Sequence, residues 1–372
     1  MSMLRNAVTV GVTLAVVLIN VSDRAHGQVI QATPVNEQNV TLSLTSYRDL
    51  VNRMDTLERQ VGQGWQEQSK YGGKDTCEPY QTGRYVQYDH VIVMPFFSEN
   101  NAFSITNTMT ADSGQIVDFD HDFEYSPRIE FGYFAPSDGL GWRARFWHYE
   151  GHETEATSSP AIVALSDDPQ INIDSDAGGT LFANYDLRFT VADLEAVKRN
   201  YGESSVSSVA AGMRFAAIDH DYTAREFGGA NALILAGTES NVIGPTIAWE
   251  GRQLLCGRRF DAFMSTRASA LFGETDFIAH KVAGATSGGI VRIDDRLQVI
   301  PVGEIQMGVD YREPLNDGIF FMRFAVEAQY WLNGGTGAVL GPEDSTTDGE
   351  FQDPTNEDTG FFGVNLSTGF LY

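Results

Sequence analysis

The chain has 372 residues and a formal net charge of −25, from 50 acidic and 25 basic residues. This acidic excess argues against nucleic acid or an anionic membrane surface as a partner. The length is ample for one large β domain with long loops, and two cysteines are too few for a zinc framework.

The amino terminus, residues 1–27, has the features of a secretory signal peptide. Arg5 precedes an almost wholly apolar run from Ala7 to Val21, and residues 25–27 have the small-x-small form of a cleavage site. This run is too short for a spanning helix, and no later segment approaches the roughly twenty apolar residues that such a helix needs. An exported chain of this kind is either a soluble periplasmic protein or a β-barrel, because unpaired backbone groups in lipid cost several kcal/mol each.

A short helix is predicted within a periplasmic stretch, residues 28–81, that follows the signal peptide. Apolar side chains recur there at heptad spacing, and Gly62 to Gly64 ends the pattern. The positions of this seam are Val40, Tyr47, Leu50, Met54, Leu57 and Val61. Residues 40–61 could trimerise the protein as a coiled coil or form a single amphipathic helix at the barrel mouth, and about three heptads leave both alternatives open.

From about residue 82 the period of the apolar side chains changes to two, as in β-strands. One face of the last strand would carry Val364, Leu366, Thr368, Phe370 and Tyr372. Asn365, Ser367 and Gly369 would lie on its other face, and the final residue is aromatic. This pattern predicts the closing strand of an outer-membrane β-barrel, with its apolar face toward lipid, although a soluble sandwich strand could show the same alternation.

The second face of the other predicted strands is rich in arginine and carboxylates. An open protein surface would carry mostly Lys, Glu and Thr, whereas a confined aqueous lumen suits guanidinium groups that bridge acids. The residues predicted to line this lumen are Glu130, Arg143, Arg145, Asp186, Arg188, Arg214, Glu250, Arg252, Asp261, Arg267, Glu304, Arg323, Glu327 and Gln329.

The connections between the predicted strands alternate in length. If the chain ends on the periplasmic side, the segments that fall outside are long: 150–180, 222–242, 272–298 and 333–358. Those that fall inside are short: 135–138, 194–205, 253–257 and 312–316. This asymmetry is typical of outer-membrane barrels. With about three strands in residues 82–122, residues 82–372 are predicted to form an all-β, antiparallel transmembrane barrel of about twelve strands, with a narrow lumen.

Several short runs occur in one order along residues 85–372. They are Arg128 to Tyr133, Gly139 to Trp147, Tyr185 to Phe189, Gly212 to Ala216, Gly244 to Arg252 and Tyr330-Trp331. In these runs the chain resembles the Legionella-type major outer-membrane, pore-forming β-barrel proteins, whose relatives also occur in planctomycetes. The resemblance implies a passive pore for small hydrophilic solutes in the outer membrane of a Gram-negative-type bacterium. It carries no catalytic residues, and the acidic loops leave the selectivity unsettled.

Two groups of residues raise the question of metal binding. Asp118, Asp120, Asp122 and Glu124 alternate along one extended face and could hold Ca²⁺, or form a solvated acidic loop. His148, Glu150, His152 and Glu153 have transition-metal ligand types, but they lie where a strand meets a long loop and nothing fixes their surroundings. The run Asp174 to Gly178 is predicted to be a turn, and residues 341–359 an acidic surface loop. No cofactor is predicted.

Cys77 and Cys256 are both expected on the periplasmic side, an oxidising compartment. They could form a disulfide that holds the amino-terminal segment against the barrel, or remain two thiols too far apart to bond.

Three functions are compatible with these features. The first is a diffusion pore with a weak cation preference, because its walls are nearly balanced in charge and its mouths are acidic. The second is a structural anchor with a closed lumen and a periplasmic coiled coil. The third is a barrel enzyme, for which the sequence offers no G-x-S-x-G elbow or comparable Ser/His grouping. We therefore expect no enzymatic activity.

Overall fold

The computed structural model describes residues 83–105, 115–135, 139–158, 161–164, 172–175, 179–202, 205–228, 231–254, 259–282, 287–315, 318–337 and 357–372. Within these ranges the chain is all-β, and none of it forms a helix long and apolar enough to cross a membrane. The predicted signal peptide, the helix at residues 40–61, Cys77, Cys256 and most of the acidic loop at 341–359 lie outside the described residues.

The described residues form strands that join in two sheets. In chain order the strands are β1 (Gly83–Phe97), β2 (Asn101–Ile105), β3 (Gln115–Asp118), β4 (Glu124–Phe134), β5 (Leu140–Thr157), β6 (Ala161–Ala164), β7 (Asn172–Ser175), β8 (Thr180–Tyr201), β9 (Ser205–Phe227), β10 (Leu233–Leu254), β11 (Phe260–Val282), β12 (Ser287–Leu315), β13 (Gly318–Trp331) and β14 (Thr359–Leu371). A closed antiparallel barrel has the order β1-β14-β13-β12-β11-β10-β9-β8-β5-β4, and a separate sheet has the order β3-β2-β6-β7.

The barrel has ten strands rather than the predicted number of about twelve. Of the three strands expected in residues 82–122, only β1 belongs to the barrel, whereas β2 and β3 belong to the small sheet. The small-sheet strands have four or five residues each, and a strand must have about nine to cross a bilayer. Alternation alone therefore located these strands but could not assign them to a sheet.

The alternation predicted for the closing strand is confirmed. Along β14, Val364 and Leu366 are exposed on the outer wall, while Asn365 and Ser367 are fully buried in the interior. The same apolar outer wall continues on the neighbouring strands, with Phe324 on β13 and Ile92 on β1 exposed. This wall is the surface that meets lipid.

The two ends of the barrel differ in their connections. At the end that carries Tyr372, the gaps between barrel strands are short: 135–139, 202–204, 255–259 and 316–317. At the other end, β1 and β4, β5 and β8, and β13 and β14 are joined by long segments, whereas the gaps after β9 and β11, at 228–232 and 283–286, are short. We call the part near Tyr372 the lower half of the barrel and the part near the long connections the upper half; in outer-membrane barrels the long connections face outside.

Along β8 the inward side chains change from charged to apolar, and the outward side chains change from apolar to charged. In the lower half Asp193 is buried in the interior and Leu194 is exposed on the outer wall. In the upper half Leu187 is buried instead, and Asp186 and Arg188 are exposed. The physical reason is that the upper strands extend beyond the lipid, so their outer wall meets water while their interior is an apolar core. Segments such as 222–242 and 272–298, expected as loops, are mostly strand for the same reason.

This reversal corrects the placement of two residues predicted to line a lumen. Asp186 and Arg188 lie on the outer wall, where Arg188 pairs with Glu150 at 3.7 Å and with Asp219 at 3.6 Å. Such exposed pairs contribute little to stability.

The reversal predicts different costs for two adjacent substitutions. Leu187→Ala should destabilise the folded barrel by about 2–5 kcal/mol, because it leaves a cavity in the apolar core. Arg188→Ala should change the free energy of unfolding by less than about 1 kcal/mol, because its side chain is exposed. Urea titration of each variant folded in lipid vesicles measures both values. The opposite ranking would show that the facing assigned to β8 is wrong.

Candidate pore interior

The lower interior of the barrel contains a buried cluster of arginines and carboxylates. At its centre Arg214 on β9 is fully buried; it pairs with Asp193 at 2.7 Å and with Glu304 on β12 at 2.5 Å. Arg145 on β5 also reaches both acids, at 2.8 and 3.0 Å. Arg267 on β11 approaches Asp193 to 2.6 Å. Planar guanidinium groups suit this role because each can bridge two carboxylates.

Two further ionic groups lie in the same interior. Nearer the lower rim, fully buried Asp310 accepts from Arg252 at 2.6 Å and from Arg323 at 2.8 Å. Across the barrel, Arg128 on β4 pairs with Glu327 on β13 at 2.6 Å. The charges of the lower interior are therefore compensated by partners on other strands.

Most of the residues predicted to line a lumen point into this interior. They are Glu130, Arg143, Arg145, Arg214, Glu250, Arg252, Asp261, Arg267, Glu304, Arg323, Glu327 and Gln329. Sequence reasoning missed other interior charges, namely Asp89, Asp193, Glu195, Asp310 and Arg312. A signal for two of them was present, since Asp193 and Glu195 alternate with Leu194 and Ala196, but residues 194–205 were expected to be a connection.

A layer of aromatic side chains crosses the barrel on the upper side of the ionic cluster. Trp331 and Phe361 are fully buried, and Phe189 lies between them, with ring centroids 5.2 Å from Trp331 and 5.0 Å from Phe361. Trp147 packs on Phe361 at 5.4 Å. The guanidinium carbon of Arg214 is 5.8 Å from the Trp331 ring, so the layer rests directly on the charged cluster.

The segment after β13 folds back into the upper interior. Residues 334–337 are buried, and three side chains hold their backbone carbonyls. His220 Nε2 donates to the Gly334 carbonyl at 3.0 Å, Thr238 to that of Thr336 at 2.7 Å, and Thr359 to that of Gly335 at 3.0 Å.

Glycine is required along this segment, which we call the inner loop (residues 333–337). Gly335 has a φ of +86°, in the left-handed region that other residues rarely adopt. A Cβ atom at Gly337 would lie 2.8 Å from a ring carbon of Tyr185. The inner loop therefore sits in close contact with the barrel wall and closes the upper interior together with the aromatic layer.

The small sheet and residues 119–123 cover the same end of the barrel. Phe103 on β2 is buried in the apolar core, and the Tyr222 hydroxyl on β9 donates to the Ala102 carbonyl at 2.6 Å. Phe119 packs against Tyr185, with ring centroids 5.4 Å apart. The long connections are thus attached to the interior of the barrel by specific contacts.

The structure assembles neither group of candidate metal ligands into a site. Among the residues that the structure describes, no group of three or more His, Cys, Asp or Glu side chains is arranged to hold a metal ion. His152 on the outer wall instead contacts Asp186 at 2.6 Å, and His148 contacts Thr190 at 3.1 Å. Glu153 accepts from the backbone N–H of Asp122 at 3.2 Å. The Ca²⁺ hypothesis for Asp118, Asp120, Asp122 and Glu124 thus gains no support from the structure.

Removing one acid from the ionic cluster should leave buried charges without compensation. We expect Asp193→Ala to lower the free energy of unfolding by about 3–5 kcal/mol, because Arg145, Arg214 and Arg267 all pair with this side chain. Glu150→Ala, on the exposed outer wall, is the matched control and should have an effect within about 0.5 kcal/mol. Equal effects in urea titrations in lipid vesicles would contradict the role of the cluster.

The segment between β3 and β4 should loosen in acid. Burial lowers the pKa of His121 to about 4, although nearby Asp120 acts in the opposite direction. Because this value lies below the ordinary one of 6.5, the contribution of His121 to stability is complete above pH 6.5 and is lost as the pH falls toward 4. Burial also raises the pKa of Glu99, which favours the folded state in acid, so the effect of His121 must be isolated by substitution.

Limited proteolysis with a protease that is active from pH 4 to 7 measures this effect. Cleavage near residues 98–123 should increase in acid for the unaltered protein. His121→Gln should remove most of the increase, because the amide does not titrate. A pH dependence that is the same in both proteins would rule out His121 as its source.

Comparisons with known proteins give weak structural likenesses and one family. OmpT, the outer-membrane protease from Escherichia coli, has 10% sequence identity and a TM-score of 0.40, over 79% of this chain and 99% of that chain. A FadL homologue from Pseudomonas aeruginosa has 7% identity and a TM-score of 0.23, over 78% of this chain and 90% of that chain. No curated protein sequence matches the chain. The family model of the Legionella pneumophila major outer membrane protein precursor matches residues 84–371, and the chain belongs to this family of outer-membrane proteins.

Proposed function

We propose that the protein is a passive outer-membrane channel for small hydrophilic solutes, without enzymatic activity, and that the described conformation is its closed state. The observation that carries the proposal is the ionic cluster around Arg214 in the part of the barrel that lipid surrounds. Polar side chains also fill this interior on β14, where Asn365 and Ser367 are fully buried.

A buried ionic cluster offers little advantage in stability to a barrel that serves only as an anchor. Removing ions from water costs several kcal/mol each, and well-packed apolar side chains of similar volume are often as stabilising or better. Paired charges do, however, provide a path that water and small polar solutes can enter once the pairs separate. The cluster is thus better suited to a closed channel than to a permanent filling.

Opening would require the inner loop and the aromatic layer to move. The inner loop is held by a few hydrogen bonds from His220, Thr238 and Thr359, each of a kind that contributes about 0.5–1.5 kcal/mol net. Its glycines permit backbone conformations that other residues could not follow. A loop attached in this way can exchange between a bound and a withdrawn position.

We further propose a weak preference for cations. Because the charges of the interior are paired, they produce little net electric field along the wall. The upper rim, in contrast, carries Asp118, Asp120, Asp122 and Glu124, and the whole chain has a net charge of −25. Acidic mouths concentrate cations, and salt screens this effect over about 8–10 Å. The preference should therefore fade as the salt concentration rises.

A structural anchor with a closed lumen is the second candidate. The aromatic layer favours it, because Trp331, Phe361 and Phe189 are buried in the middle of the interior. A barrel of ten strands is also close in size to eight-stranded barrels, which side chains fill.

Recordings of single channels in planar lipid bilayers distinguish the two functions. The unaltered protein should show rare, small openings. Thr238→Val removes one hydrogen bond to the inner loop, and a loss of about 1.4 kcal/mol would raise the ratio of open to closed states about tenfold. Trp331→Ala should enlarge the conductance, because it removes part of the aromatic layer. Trp249→Ala, on the exposed outer wall, is the matched control and should change neither quantity.

Heat-resistant gel mobility must first show that each variant is assembled. If the assembled protein and the Trp331→Ala variant both fail to conduct, the anchor is the correct function. A reversal potential that indicates anion preference in a salt gradient would contradict the proposed selectivity while leaving the channel intact.

A further inference from the structure

A histidine lies on the lipid-facing wall, halfway along β1. His90 points outward on β1 and is exposed, halfway between Arg84 at the lower end and Phe96 at the upper end. Phe96 stacks on Tyr330, whose hydroxyl binds Asp358 at 2.7 Å, which marks the upper edge of the apolar band. Six residues of a tilted strand rise roughly 15 Å, about half of an apolar band of this kind.

Two tyrosines on the same wall connect to this histidine. The hydroxyls of Tyr88 and Tyr125 are 2.8 Å apart, and the Tyr125 hydroxyl is 3.2 Å from His90 Nδ1. The rings of Tyr88 and His90 meet edge to face, with centroids 4.9 Å apart. Tyr88 is 38% and Tyr125 50% exposed, so the three side chains form one connected polar patch on the outer wall.

When the hydrogen bonds of this patch among the described residues are counted, one donor and one acceptor are left unpaired. If Tyr88 donates to Tyr125 and Tyr125 donates to Nδ1, the chain ends in a Tyr88 acceptor and an Nε2–H donor on His90. In the reverse arrangement His90 Nδ1–H donates to Tyr125, and Tyr125 donates to Tyr88. The two ends are then a Tyr88 O–H donor and a His90 Nε2 acceptor. In either arrangement, the two ends are complementary to each other but point to no partner among the described residues.

The lipid around this wall limits what can satisfy these ends. Polar groups that lack a partner in hydrocarbon cost several kcal/mol each. Another protein surface that offers a complementary donor and acceptor would remove this cost.

We propose that this face of β1 and β4 binds a second copy of the same chain in a two-fold symmetric contact. In such a contact His90 Nε2 of each copy meets the Tyr88 hydroxyl of the other, because a two-fold axis brings each end of the chain to its complement. Val86, Ile92, Ile129 and Leu366 surround the patch and are each about 40% exposed, which provides an apolar margin for packing. The inference is independent of whether the barrel conducts.

Site-specific photo-crosslinking in the outer membrane of cells that express the full chain tests the contact. A photoreactive amino acid replaces Leu366, beside the patch on β14. The matched control replaces Ile247 on β10, which lies four strands from β14 and five from β1, on the opposite wall. An adduct of twice the mass of the chain should form from position 366 and not from position 247.

Substitutions then show whether the polar patch drives the contact. His90→Leu and Tyr88→Phe should each reduce the adduct from position 366 at least about tenfold, equivalent to about 1.4 kcal/mol. Thr266→Val, another polar side chain on the outer wall, is the matched control on β11 and should leave the yield unchanged. Heat-resistant gel mobility confirms that every variant is assembled.

Several results would overturn the proposal. Equal adducts from both positions would indicate random collision, and adducts only with lipid or with a different protein would exclude a second copy. Adducts that persist in both His90→Leu and Tyr88→Phe would assign any association to another segment, such as residues 40–61. A complete absence of adducts from position 366 would show that the face meets lipid alone.

Discussion

Closure of the backbone hydrogen bonds between β1 and β14 is the constraint on which the rest of the structure depends. Arg84 and Tyr372 exchange backbone bonds of 2.8 and 2.9 Å at the lower end, and pairing continues to Phe97 and Thr359. An open edge in lipid would leave a row of unpaired groups, each at a cost of several kcal/mol. The ring must therefore close with the strands that the chain can supply, and it closes with ten.

The number of strands decides what the interior charges do. In a wide barrel, Arg145, Arg214 and Arg267 would extend from a wall into water. In this narrower ring they meet Asp193 and Glu304 on other strands, and they bury one another from solvent. The same residues could line a pore or close one, and the distance across the barrel determines which.

The thickness of the lipid divides the barrel into two different environments. Opposite Ile218 on β9, Phe189 on β8 belongs to the apolar core of the upper half, whereas Asp193 opposes Arg214 in the lower half. The inward side chains of β8 and β9 change from charged to apolar at neighbouring positions, because the edge of the lipid crosses both strands there. The long strands therefore form two stacked parts, a charged part within the membrane and an apolar part that the small sheet and the inner loop cover.

The sequence by itself determined the alternation of side chains along the strands and the connections at the lower end of the barrel. The outward Val364 and Leu366, the inward Asn365 and Ser367, and the short connections at the lower end follow from a period of two and from turn composition. It did not determine that β2 and β3 leave the barrel, that Asp186 and Arg188 face outward, or that Gly334 to Gly337 enter the interior. Alternation states which residues share a face, but only closure of the sheet, and the level of the lipid along each strand, decide which face is inside and what fills it.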